Sequence, residues 1–270
     1  MIIAAVLVLL VLIYLFAIHP RVGKPVDLSA FERVYIAHRG YFDNGGDCPE
    51  NSLGAFRKAV ENGYGIELDV QLTSDHKLVV FHDESLLRMC KVDKNLGDCT
   101  YEELQRYTLA ESGERIPLFT EVLALVDGKV PLVVEVKPEG DCIETTKTMY
   151  NQIKDYKGIY CMESFHPLAV AWYKKNVPQV VRGQLSMDYF KDEEERGFWE
   201  KFFLSNLMLN WLARPQFIAY NHHHVNQFSY RLCRKLSKVK NVAWTIRSQE
   251  ELEQAKDVFD VMIFDSFRPR

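Results

Sequence analysis

The sequence predicts an α/β protein, a (β/α)8 TIM barrel preceded by one N-terminal transmembrane helix. Three observations predict it. Eight apolar, β-branched runs recur between residues 35 and 265 with helix-like patterns between them, the alternation that builds parallel sheets. Ionisable residues stand at the C-terminal ends of those runs, where a parallel barrel carries its functional groups. The chain beyond residue 20 is about 250 residues, the size of one such barrel. An open doubly wound sheet is the competing architecture, but the chain has no G-x-G-x-x-G or P-loop to support it.

Taken in order, residues 1–18 (MIIAAVLVLLVLIYLFAI) carry no charge and are apolar throughout, just long enough to span a bilayer. The basic start and small-x-small site of a cleaved signal are missing. Residues 1–20 are therefore read as an uncleaved anchor in the cell membrane and 21–270 as the barrel domain. Arg21, Lys24 and Arg33 all follow the anchor, which places the barrel on the cytoplasmic side. Barrel strands are expected at 35–38, 66–70, 132–136, 160–164, 180–185, 217–220, 242–246 and 261–265, with 78–82 as a hairpin return. Helices are expected at 52–62, 118–126, 141–154, 167–176, 230–236 and 249–258.

The densest chemistry runs from Ile36 to Asp83. His38, His82, Arg39, Glu50, Glu67, Asp69 and Asp83 fall within fifty residues, mostly at the ends of runs that must be buried. Desolvating such groups costs several kcal/mol each unless they pair or bind metal. The polar stretch 74–77 reads as the turn of a hairpin with Asp75-His76 at its tip, which sets Asp69 opposite His82. Alternation puts Glu67, Asp69 and Gln71 on one face. Two carboxylate donors suit a hard cation, Mg²⁺ or Ca²⁺, while a nearby histidine suits proton transfer. In the run 131–138, Glu135 and Lys137 again share a face: a third oxygen ligand beside an ammonium able to hold an anion.

At this point the chain resembles the glycerophosphodiester phosphodiesterases. The resemblance rests on His-Arg-Gly at 38–40, Pro-Glu-Asn at 49–51, Glu-Leu-Asp-Val through Phe-His-Asp at 67–83 and Val-Glu-Val-Lys at 134–137. It continues through 163–165, 183–185, 244–246 and 260–265. It implies a divalent cation on Glu67, Asp69 and Glu135, with His38 and His82 as the acid/base pair. Arg39, Glu50 and Lys137 are implied as substrate-phosphate or supporting positions, and Trp244, where a mouth-lining aromatic would sit, is expected to bind substrate. It also implies attack on phosphorus by the substrate's own glycerol hydroxyl or by water. Ser52, Arg247 and Phe264 depart from the family's commoner residues and are expected near the barrel mouth.

Composition narrows the function further. A net charge of −4 excludes a general nucleic-acid role. Six dispersed cysteines form no C-x-x-C pair and are expected to stay reduced. Residues 198–212 carry a very wide apolar face, read either as a barrel helix or as an interfacial element that dips into lipid. Of His222, His223 and His224, at most two can converge on one point. Phe165, Trp244 and Tyr41 are expected at the mouth or in the core. The expected function is metal-dependent hydrolysis of glycerophosphodiesters to glycerol phosphate and an alcohol. The alternatives are a lysophospholipase D-like hydrolase of membrane lysolipids, a phosphatidylinositol phospholipase C-like enzyme, and an inactive membrane-bound binding or regulatory barrel.

Overall fold

The computed structural model describes residues 1–21, 26–191, 196–237 and 239–270; Lys24 of the expected charge bias lies outside them. The strands are β1 (Ile36–Ala37), β2 (Gly65–Leu72), β3 (Leu78–Val80), β4 (Leu132–Val136), β5 (Tyr160–Ser164), β6 (Arg182–Ser186), β7 (Phe217–Asn221), β8 (Lys240–Ile246) and β9 (Val261–Phe264). All but β3 run parallel, in the order β1-β9-β8-β7-β6-β5-β4-β2, and β1 pairs with both β2 and β9. That double pairing closes the expected barrel.

Side-chain alternation sorts each strand into two layers. Ile66, Leu68, Val70, Leu132, Val134, Val136, Ile218, Tyr220, Ala243 and Phe264 face outward and pack against the surrounding helices. The inward residues Ile36, Val133, Cys161, Phe217, Val242 and Ile263 fill the lower barrel, and Leu28 and Phe31 plug its floor. Gly183 leaves room for the Phe217 ring: a Cβ there would stand 2.1 Å from it. On four strands the next inward step toward the C-terminal end meets an ionisable group: His38 above Ile36, Glu135 above Val133, Glu163 above Cys161 and Asp265 above Ile263. The barrel is thus apolar below and charged above.

The helices begin where the sequence expects. Ser52 accepts from Ala55 N–H at Leu53–Glu61, Asp141 from Ile143 and Glu144 N–H at Cys142–Ile153, and Ser248 from Glu251 N–H at Gln249–Ala255. All six cysteines are free.

Three expectations change. The hairpin register is one residue off: Val70 pairs with Val80 and Leu72 with Leu78, so Asp69 faces Phe81 and not His82. The turn is responsible. Thr73 and Lys77 close a three-residue loop whose last residue, His76, is left-handed (φ 57°), a common hairpin geometry.

The N-terminal segment forms a helix over Ile2–Ile18, 17 residues or roughly 25 Å long. Among the described residues no helix is long and apolar enough to cross a membrane, so a transmembrane helix is not supported. The helix's last turn is instead committed to the barrel: Ala17 and Ile18 are buried. Ile18 O accepts from Asn210 Nδ2 (2.8 Å), His19 O from Arg214 Nη1 (2.6 Å), and Tyr14 Oη meets Ser229 Oγ (2.6 Å). The apolar segment after β6, finally, is two helices, Phe198–Ser205 and Asn210–Ala213. They leave Phe198, Trp199, Phe203 and Trp211 exposed.

Candidate active site

The site begins with the turn that ends β1. Arg39 (φ 55°) and Gly40 (φ 84°) are both left-handed, and a Cβ on Gly40 would lie 2.9 Å from that of Ala55. This reversal aims the Arg39 N–H at Glu67 Oε2 (3.0 Å) and leaves His38 pointing inward. His38 Nδ1 meets Asp265 Oδ2 at 2.8 Å. Asp265 follows β9, the strand paired with β1, and its other oxygen accepts from Arg247 Nε and Ser266 Oγ. Burial raises the Asp265 carboxyl, but the contact with His38 overrides it and holds it at about 2. Burial, helped by Arg39, pushes the His38 pKa below that of an ordinary histidine. The ring is therefore neutral near pH 7, with Nε2 4.0 Å from Glu67.

Three carboxylates stand side by side because their strands do. Asp69 and Glu135 are register partners across β2 and β4, and Glu67 lies one inward step below Asp69. One oxygen of each falls within 4.8 Å of the others, and all three are buried. Glu163, the register partner of Glu135 on β5, adds a fourth buried carboxyl. Burial, then Asp69, pushes Glu67 well above the usual carboxylate range, and burial pushes Glu163 up likewise. Burial also raises Glu135, to about 7, against the opposing pull of Lys137. Lys137 Nζ lies 3.1 Å from Glu135 Oε1 and 3.6 Å from Asp69 Oδ1, off hydrogen-bond geometry, so both oxygens accept no hydrogen bond. Glu163 Oε2 is a third such oxygen, and four buried carboxyls with three unsatisfied oxygens fit a hard divalent cation.

His82 reaches the cluster from the hairpin. The Gln71 side chain on β2 donates to the carbonyls of Phe81, His82 and Asp83, pinning the backbone just past β3. His82 Nδ1 is 2.7 Å from Asp83 Oδ1. Asp83 is clasped by Arg88, which also grips both oxygens of Glu50 (2.6 and 2.9 Å). Glu50 in turn takes Arg39 Nη1 at 2.6 Å and Asn44 Nδ2 at 2.7 Å. Burial opposes ionisation of Glu50, but Arg88 and Arg39 win and hold it at about 2. Glu50 is therefore a hub that joins the supports of both histidines, with its oxygens already occupied. Asn51, left-handed at φ 57°, donates to Asp69 Oδ2.

A cavity of 460 Å³ opens at the mouth. His82, Lys137, Phe165, Trp244 and His224 line it. Trp244 Nε1 is buried without an acceptor. The structure thus gathers His38, His82, Arg39, Glu50, Glu67, Asp69, Glu135 and Lys137 around one cluster, with Trp244 lining the cavity that His82 and Lys137 also line. Two of the remaining histidines turn away from this cluster: the His222 and His223 rings, 3.8 Å apart and tilted by 40°, turn toward Glu251. Tyr41 packs against Tyr64 and Phe264, so Phe264 belongs to an aromatic core and not to the mouth.

Sequence reasoning gave no role to Asp265, Asp83, Glu163 or Arg88. The first three lie inside quoted motifs, at the inward phase of a strand or beside a histidine, which is a usable signal. Arg88 has none.

The sequence and the fold have counterparts among known proteins. A glycerophosphodiester phosphodiesterase of Bacillus altitudinis is 34% identical over 165 residues, 57% of this chain. The chain spans 66% of that relative's length, just under two thirds. The crystal structure of the Thermotoga maritima glycerophosphodiester phosphodiesterase superposes with a TM-score of 0.64 at 27% identity, covering 86% of this chain and 95% of that one. An Oleispira antarctica phosphodiesterase in complex with its product sn-glycerol-3-phosphate shares the fold, with a TM-score of 0.67 at 22% identity over 86% and 92% of the two chains. The Glycerophosphoryl diester phosphodiesterase family model matches residues 38–265. A match that starts at His38 and ends at Asp265, the pair whose side chains join the first barrel strand to the last, makes this chain a member of the glycerophosphoryl diester phosphodiesterase family.

Proposed function

We propose that this chain is a phosphoric diester hydrolase that cleaves glycerophosphodiesters to glycerol phosphate, the product class bound by the Oleispira antarctica relative, and an alcohol. The observation that carries this reading is the pair of imidazoles, each held by an aspartate through Nδ1, on either side of a buried carboxylate cluster with unsatisfied oxygens. Glu67, Asp69 and Glu135 would hold one Mg²⁺ or Ca²⁺, which when bound neutralises the diester oxygens and stabilises charge developing on them. Lys137 and Arg39 add positive field beside that position. His38, neutral at pH 7, takes through Nε2 the proton of the attacking group, water or the substrate's own glycerol hydroxyl; in the second case water then opens the resulting cyclic phosphate to glycerol phosphate. His82, which opens into the mouth cavity, hands a proton to the leaving alcohol.

The test is hydrolysis of glycerophosphocholine by the full chain with Mg²⁺ or Ca²⁺, with chelator, and with His38→Ala and His82→Ala. Chelator should abolish release of glycerol phosphate, and each substitution should slow it about 10²–10⁴-fold. Sustained turnover in chelator, or wild-type rates from either variant, would remove the mechanism.

We further propose that the N-terminal helix attaches the barrel to a membrane, at its cytoplasmic face. Residues 2–13 are exposed and apolar on every side, a surface that water does not favour. The helix docks on the short helix Asn210–Ala213 that carries exposed Trp211, a residue type favoured at lipid interfaces. Leu7→Lys with Leu10→Lys should release the protein from sedimenting phosphatidylcholine vesicles; unchanged sedimentation would remove this role.

A further inference from the structure

Outside the carboxylate cluster, one other set of ligand-type side chains converges among the described residues: His222, His223 and Glu251, one atom of each within 4.8 Å of the others. Local backbone brings the two histidines together. β7 ends at Asn221, whose side chain accepts from the His223 N–H (3.0 Å) and caps a single 3₁₀ turn over His222–His224. Consecutive residues of a strand point to opposite faces. In a turn of about three residues per revolution they can lean the same way, and the two rings stand 3.8 Å apart. Glu251 comes from the first turn of the helix Gln249–Ala255. Its Oε2 accepts from the Arg247 N–H (2.6 Å), which holds the carboxylate beside both imidazoles.

The separations suit a shared ion better than hydrogen bonds. His222 Nε2 lies 3.7 Å from Glu251 Oε2, and His223 Nε2 4.0 Å from Oε1. Both exceed the roughly 2.7–3.2 Å of a hydrogen bond. Ligand atoms around tetrahedral Zn²⁺, each about 2.0–2.2 Å from the metal, stand roughly 3.3–3.5 Å apart, so shifts of about half an ångström complete the set. Imidazole nitrogens favour this class of ion over Mg²⁺ or Ca²⁺, the reverse of the all-carboxylate cluster. We infer that His222, His223 and Glu251 form a second metal site, for a borderline-soft divalent ion such as Zn²⁺. The three line a cavity of 520 Å³ together with Ser248 and Glu250, from which water can supply a fourth ligand. That cavity shares no lining residue with the one at the mouth. To bind the ion, His222 exchanges its Nε2 contact with Thr245 O (3.1 Å) for the metal, its proton moving to Nδ1. The ion then ties the turn after β7 to the helix after β8. Those two segments adjoin His224 and Trp244, which line the mouth cavity.

The test is calorimetric titration of the full chain with Zn²⁺ in excess Mg²⁺. It uses Glu135→Gln as background, which impairs the carboxylate cluster and leaves this set intact. That protein should retain a Zn²⁺ site of micromolar or tighter affinity. Adding His223→Ala or Glu251→Gln should weaken it by at least the roughly tenfold that loss of even an outer-shell partner costs. The His223 side chain is 60% exposed, and glutamine at 251 keeps an acceptor for the Arg247 N–H, so both proteins should melt as the background does without metal. Co²⁺ in place of Zn²⁺ should give the visible absorption of tetrahedral nitrogen and oxygen coordination, lost with either added substitution. Zn²⁺ should also slow amide hydrogen exchange over residues 221–225 and 247–251. Zn²⁺ affinity untouched by both substitutions would overturn the site, as would millimolar binding, an adventitious ion only. Tight, substitution-sensitive binding without slower exchange would uphold the site and overturn its role as a clasp. Glycerophosphocholine turnover enters none of these readouts, so the site stands or falls apart from the hydrolase reading.

Discussion

An aspartate holds Nδ1 of both His38 and His82, and His38 thereby turns its Nε2 toward Glu67, 4.0 Å away. That contact fixes ring orientation and tautomer together. Asp265 also opposes the burial that lowers the His38 pKa. Asp265→Asn should therefore reduce kcat/KM for glycerophosphocholine about 10–100-fold and shift the acid limb of the pH–rate profile to lower pH. Steady-state kinetics across pH would check this, and an unshifted limb at full rate would show that Asp265 is only structural. Glu50 acts at the same scale in a different way. With both oxygens on arginines and Asn44, its loss leaves Arg39 buried with one partner fewer. Glu50→Ala should cost about 3 kcal/mol in urea unfolding.

At the scale of elements, the hairpin β2–β3 positions one histidine without pairing it to the cluster directly. β3 ends at Val80; beyond the Phe81 N–H bond to Asp69 O (3.0 Å), the carbonyls of Phe81, His82 and Asp83 are held by one glutamine, Gln71. Gln71→Leu would leave three carbonyls without that donor, a loss of about 1–3 kcal/mol. The expected result is a kcat reduced more than about tenfold, since misplacing a reacting group by an ångström can cost about a hundredfold, with the cation-induced rise in melting temperature retained. Differential scanning fluorimetry and turnover on the same sample would separate the two effects. The network His82–Asp83–Arg88–Glu50–Arg39 runs from this hairpin to the end of β1, so the hairpin and the turn after its neighbouring strand share one support.

For the whole molecule, charge burial ties stability to pH and cation. Glu67 and Glu135 have pKa values raised in the folded state. Their contribution is complete below the ordinary carboxylate pKa and is lost as pH rises through the folded value, about 7 for Glu135. Glu50 and Asp265, held at about 2, behave oppositely: their contribution is present above the ordinary carboxylate pKa and falls away in acid. In chelator, melting temperature should therefore peak on the mildly acidic side and decline toward pH 8. Mg²⁺ or Ca²⁺ should reverse the decline, with a stabilisation that grows with pH as proton competition fades. Glu135→Gln should flatten both trends. A cation effect independent of pH would show that these carboxylates do not bind it.

Much of this was legible in one dimension. Strand alternation set Glu67 and Asp69 on one face and Glu135 with Lys137 on another, because a period of two is a local property of extended backbone. The helices expected at 52–62, 141–154 and 249–258 were legible because helical patterning, too, is local, and Ser52, Asp141 and Ser248 cap them in the structure. The number and order of barrel strands followed from the same periodicity. What remained was decided by contacts between distant segments. The hairpin register depended on a left-handed His76, a backbone choice that residue type only biases. Asp265 reaches His38 only because the barrel closes, and Arg88 reaches Glu50 only because the hairpin folds back over the mouth. The apolar N-terminal run looked like a spanning helix by composition, yet Ala17 and Ile18 pack against the barrel. Composition determined that it would be a helix; tertiary packing decided what its last turn would touch, because burial is a property of neighbours and not of the residue.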